Sequence, residues 1–110
     1  MYFVLNSITF IWDDGKARIN PINHDGITFQ QAAEAFFDPF LVVVDASRYE
    51  EARDAVIGLD RRWNLLYVVH IEREDNVIRI ISARKATRQE RAEYESWSTK
   101  AAIRSKSSDD

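Results

Sequence analysis

At 110 residues the chain has room for one domain and no second core. It contains no cysteine, which excludes disulfides and thiolate metal sites and makes a reducing cytoplasm the expected compartment. No run approaches the ~20 apolar residues of a membrane span, and the opening MYFVLNSITF lacks the basic stretch of a secretory signal. The net charge of -3 argues mildly against a nucleic-acid binder, but its distribution argues the other way. Residues 1–60 carry four Lys/Arg against ten Asp/Glu, whereas residues 61–110 carry eleven against eight. The second half is therefore locally basic on an acidic whole.

Ile8 to Trp12 carries Ile, Phe and Trp in weak alternation and predicts a strand, broken at Asp13-Asp14-Gly15. Lys16 to His24 predicts a turn or two of helix, stopped or kinked near Pro21. Asp25-Gly26 is a turn. Thr28 with Gln31 has the spacing of a capping box and opens a short helix that ends at Asp38-Pro39. The apolar run Phe40 to Val44 predicts a well-buried strand, followed by a polar loop over residues 45–51. Ala52 to Leu59, Asn64 to Ile71 and Val77 to Ala83 predict three more strands, and the short polar breaks between them favour antiparallel hairpins. Thr87 with Glu90 is a second capping box and opens a helix to about Ile103.

The expected fold is therefore α+β: an antiparallel sheet of about four to five strands, short N-terminal helices and a C-terminal helix. A single domain is expected over residues 1–104, with 105–110 a disordered tail.

The densest chemistry lies in VIRIISARKATRQERAEY, Val77 to Tyr94. An arginine on a half-buried strand, such as Arg79, requires an anion, either a protein carboxylate or a ligand. Arg84 stands at the strand exit with Lys85 beside it. Arg88 and Arg91 are neighbours on one helix face, and Tyr94 follows three positions later as either a base-stacking ring or a packing residue. Glu90, Glu93 and Glu95 are able to neutralise these cations internally. His24 and His70 titrate near neutrality and are candidate acids or bases, though nothing in the sequence brings them together. There is no tight metal-ligand cluster and no Gly-rich phosphate loop, so no metal and no cofactor are expected.

A set of motifs then resembles the BrnT family of type II toxin–antitoxin modules. Its WDxxKxxxN pattern matches Trp12, Asp13, Lys16 and Asn20; its His-Gly turn matches His24 and Gly26, with Asp25 inserted; FxxAxxxFxDP matches Phe29, Ala32 or Ala33, Phe36, Asp38 and Pro39. Glu51, Arg53 and Gly58 fit a middle element. The strands LxVVHxER and IRIISARxAxxxERxxYE match Leu66 to Arg73 and Ile78 to Glu95. The resemblance covers residues 8 to 95 in order.

It implies a RelE-like fold and a cytoplasmic, metal-independent endoribonuclease. A BrnA-like antitoxin would neutralise it, and operator DNA would be contacted only through that complex. In such chemistry the ribose 2′-hydroxyl attacks the adjacent phosphate while basic groups stabilise the developing charge. The expected phosphate clamp is Arg79 with Arg84, supported by Lys16 and Arg53, with His70 as acid or base. Lys85, Arg88, Arg91, Tyr94 and His24 are the expected RNA contacts. The rival reading is a protein-interaction module that keeps the fold and antitoxin binding without cleavage. A non-catalytic RNA binder is a third.

Overall fold

A computed structural model describes residues 1–107, with side chains through Trp97. Six strands and three helices follow in the order β1 (Tyr2–Leu5), β2 (Ile8–Ile11), α1 (Asp14–Asn23), α2 (Phe29–Glu34), β3 (Val42–Asp45), β4 (Asp54–Leu59), β5 (Leu65–Arg73), β6 (Val77–Lys85) and α3 (Arg88–Ser107). A 3₁₀ turn, Ala35–Phe37, extends α2. The strands form one sheet in the order β1-β2-β6-β5-β4-β3. The α+β class holds, but the sheet is larger than expected and mixed. The β2–β6 pairing is parallel and the rest are antiparallel.

The additional strand is β1. It folds back onto β2 through Asn6-Ser7, both with positive φ (50° and 68°), the left-handed pair that a two-residue hairpin needs. Asn-Ser lacks the glycine that usually marks such a turn, so the strand is not visible in the sequence. β3 departs from expectation in the other direction. The run is apolar, yet it lies at the sheet edge, and Val43 remains 55 % exposed.

Local signals fix the helices. Asp13 caps α1 by accepting the Lys16 N–H at 2.9 Å. Pro21 sits inside the ten-residue helix, which nonetheless continues to Asn23. Asp25 and Gly26, both at positive φ, turn the chain after it. Thr28 caps α2, but Gln31 does not complete the box; its amide donates to Asp60 instead, at 2.7 Å. At α3 the box closes: Glu90 accepts the Thr87 N–H and Thr87 Oγ1 accepts the Glu90 N–H. The expected tail from residue 105 has helical backbone over 105–107, and residues 108–110 lie outside the described part.

One face of the sheet is covered by α1, α2 and the 3₁₀ turn. Phe10, Val56, Leu66, Val68, Ile78, Ile80 and Ala83 meet Ile27, Phe29, Ala32 and Ala33 there. The Phe10 ring lies between Phe36 and Phe37, with centroids at 5.3 and 6.2 Å. Burial of each large apolar side chain contributes about 1.5–3 kcal/mol. Gly58 is required by contact: a Cβ there would stand 2.6 Å from the Ala35 carbonyl oxygen. The opposite face is covered only in part. α3 packs Tyr94 on Ile57 and Leu65, beside Val42, Val44 and Leu59. Tyr94 Oη donates to Asp38 at 2.6 Å, and the same carboxylate oxygen accepts the Leu59 N–H. Among the described residues, no helix is packed on the rest of that second face, over β1, β2, β6 and part of β5.

Candidate active site

Strict alternation along β6 would place Arg79 and Arg84 on opposite faces, because they are five positions apart. The sheet prevents this with a bulge. His70 pairs with Ile80 and Val69 with Ser82, so Ile81 is the extra residue. Ile78, Ile80 and Ala83 all face the core, and Arg79 and Arg84 both face the half-open side.

Arg84 enters a concavity of about 370 Å³ with Ser47, Arg48, Arg53, Tyr67 and Ser82. Its guanidinium lies over the Tyr67 ring, 4.1 Å from the centroid. It donates two bonds to Glu90, at 2.7 and 2.9 Å. Glu90 thus caps α3 and holds Arg84 at once. Hydrogen bonding to Glu90 raises the Arg84 pKa above its ordinary value. Burial alone would raise Glu90, but its bonds to Arg84 and Thr87 take it below the ordinary carboxylate value. Tyr67 is pushed up, first by burial and then by the Glu90 charge, so its phenol keeps its proton. Arg53 comes from the far side of the 45–53 loop. It is held by Glu51 at 2.6 Å, and its N–H donates to Ser47 Oγ, so the loop closes on itself beside β4.

The expected clamp of Arg79 with Arg84 is therefore divided. Arg79 lines a different concavity with Tyr2, Asp13 and Arg73. The partners of the two arginines on β5 are Ile71 and Tyr67, four residues apart, or about 13 Å along the strand. Lys16 belongs to the Arg79 end: it is exposed, and both its charge and that of Arg79 act on Asp13. Of the expected catalytic set, the structure brings together only Arg84 and Arg53.

His70 does not join them. It is 5 % exposed on the core face, with its ring edge-on to Phe36 at 4.8 Å and Nδ1 3.3 Å from the Val68 carbonyl oxygen. Burial pushes its pKa below the ordinary histidine value. His24 is the C-cap of α1 in the layer that covers that same face. Tyr94 is buried as a packing and hydrogen-bonding residue under α3. Lys85, Arg88 and Arg91 are exposed and do not line the Arg84 concavity.

A family model described as the ribonuclease toxin BrnT of type II toxin–antitoxin systems matches residues 12–90. The chain belongs to the BrnT family. The matched span holds Arg48, Arg53, Tyr67, Arg84 and Glu90, so the whole basic concavity lies inside the BrnT match, while Tyr2, Arg91 and Tyr94 lie outside it. No individual curated protein matches the chain. No helix among the described residues is long and apolar enough to cross a membrane.

Sequence reasoning missed Tyr67, Arg48, Ser47 and Ser82. Tyr67 was hidden by the bulge, since counting back from the β5–β6 turn without it pairs Tyr67 with Ala83 rather than Arg84. Arg48 and Ser47 sit in a loop whose composition marks only a break. The available signal was a second arginine, Arg48, five positions before Arg53 in that loop.

Proposed function

We propose that this BrnT toxin cleaves RNA at the Arg48–Arg53–Arg84 concavity, without a metal ion, by attack of a 2′-hydroxyl on its own 3′-phosphate. The observation that carries this reading is the convergence of three arginines on one hollow, two of them held in place by carboxylates. The 2′-oxygen bonds to phosphorus as its proton leaves, and the bond to the 5′-oxygen breaks. Negative charge grows on the phosphoryl oxygens, where fixed guanidinium groups act most strongly. Tyr67, kept protonated, donates to the departing 5′-oxygen. Glu51, beside Arg53 and half-exposed, is the carboxylate we assign as acceptor of the 2′-hydroxyl proton. The products are a cyclic 2′,3′-phosphate and a free 5′-hydroxyl.

The toxin acts in the cytoplasm and is neutralised by a BrnA-like antitoxin, which alone brings it to operator DNA. The pairing of Arg84 with Glu90 and of Arg53 with Glu51 favours a second reading, in which the arginines are structural and the domain binds its antitoxin without cleaving RNA.

Incubation of antitoxin-free protein with RNA in EDTA separates the two. Fragments ending in cyclic phosphate, lost in Arg84→Ala, support the nuclease. Intact RNA with folded wild-type protein, with and without ribosomes, supports the interaction module.

A further inference from the structure

We infer that the uncovered sheet face beside β1 is a subsite for a nucleotide flanking the scissile phosphate, with Tyr2 stacking on its base and Arg79 and Arg73 taking its phosphate. The inference rests on the nuclease reading above and adds to it where the neighbouring RNA lies.

Four observations carry it. First, the register aligns Tyr2, Ile11, Arg79 and Ile71 side by side across β1, β2, β6 and β5. Tyr2 is 71 % exposed, on a backbone fixed by its pairing with Ile11. An exposed ring on a paired strand of an open sheet is what a base stacks on without regard to its identity. Second, Tyr2, Arg73 and Arg79 line one hollow, in which Asp13 is the only carboxylate among the described residues. Asp13 already accepts the Lys16 N–H as the cap of α1.

Third, neither Arg73 nor Arg79 has an ion-pair partner within 4 Å among the described residues. They differ in this from Arg84 and Arg53, and are available to an anion from outside. Fourth, the bulge puts this hollow on the same face as the Arg84 concavity. The floor between them carries Val69, Ile71, Ile81 and Ser82, all half-buried, none of them acidic and so none repelling a phosphate chain. A single strand laid along β6 therefore passes from one set of arginines to the other.

The test uses fluorescent 2′-O-methyl oligoribonucleotides, which bind but lack the attacking hydroxyl. Wild-type toxin is expected to bind an octanucleotide about tenfold more tightly than a trinucleotide, the range of one stacked base and its phosphate. Tyr2→Ala/Arg79→Ala should lose that gain. Arg73→Ala, at an exposed position where folding is not at stake, should lose part of it. A gain that survives in both variants, or is absent from wild type, overturns the subsite and leaves the hollow to a protein partner. Arg53→Ala tells the two ideas apart: weakened binding at both lengths keeps the cleavage pocket even if the subsite fails, and unchanged binding at both lengths sinks the pocket itself.

Discussion

Two arginine-bearing hollows share one face of the sheet and differ in what holds the guanidinium. Arg84 is clamped by Glu90, backed by Tyr67 and tied through Glu90 to the capped start of α3. Arg79 stands on the same strand without an ion-pair partner among the described residues, facing an exposed tyrosine. A cation that must meet charge as it develops gains from being fixed beforehand, because no reorganisation is then needed during the reaction. A cation that only recruits the substrate gains from being free. The pairs at Arg84 and Arg53 thus fit catalysis, at some loss of electrostatic attraction, and the free Arg73 and Arg79 fit attraction.

The largest expected effect is at the clamped end. Arg84→Ala should lower the single-turnover cleavage rate by about 10²–10³-fold while the protein still melts cooperatively. Arg84→Lys should restore little, since an ammonium cannot reproduce the forked contact with Glu90. An Arg84→Ala enzyme with wild-type rate would show that the clamped arginine takes no part in the chemistry. Tyr67→Phe keeps the ring under Arg84 and removes only the hydroxyl. A fall of about 10²-fold identifies proton donation, and an unchanged rate reduces Tyr67 to a support for the guanidinium. Glu51→Gln should lower kcat by roughly 10²-fold and tighten RNA binding, because Arg53 loses its neutralising partner. A rise in affinity with no loss in kcat would remove Glu51 from proton transfer.

The smallest effect is on stability. The folded Glu90 has a pKa below its ordinary 4.5, so its contribution is complete above that value and is lost as pH falls through the depressed one. Asp60 behaves in the same way below 3.8: burial would raise it, but bonds from Gln31, Asn64 and Arg62 hold it down at the β4–β5 turn. Melting temperature should therefore fall on acidification from about pH 5 to 3. Glu90→Gln, which can still cap α3, should flatten the part of that fall due to Glu90. An identical acid profile would mean that the Arg84–Glu90 pair contributes nothing to stability, and its value would then lie in placement alone.

Much of the fold was legible because it rests on local rules. The two cap threonines, the Asp38-Pro39 stop and the three hairpin-linked strands follow from spacing and turn chemistry alone. What escaped depends on contacts between distant segments. β1 is held by a turn without glycine, the parallel β2–β6 pair joins strands separated by most of the chain, and the apolar β3 lies at the edge because nothing follows it in the sheet. The site divides in the same manner. Arg84 and Arg53 were expected from residue type, motif and position. Tyr67 and Arg48 needed the bulge and the loop closure, whereas regular alternation along β5 puts His70 on the core face with Leu66 and Val68. A one-residue irregularity changes which side chains share a surface, and no residue of β6 announces it.

The most direct test of the paired-against-free distinction is single-turnover cleavage of one long RNA by Arg84→Ala and Arg79→Ala, measured over a range of protein concentrations in EDTA. Arg84→Ala should lose the saturating rate, and Arg79→Ala should shift the half-saturating concentration upward. Loss of the saturating rate in Arg79→Ala with a normal rate in Arg84→Ala would contradict that distinction and return the chemistry to the β1 end of the sheet.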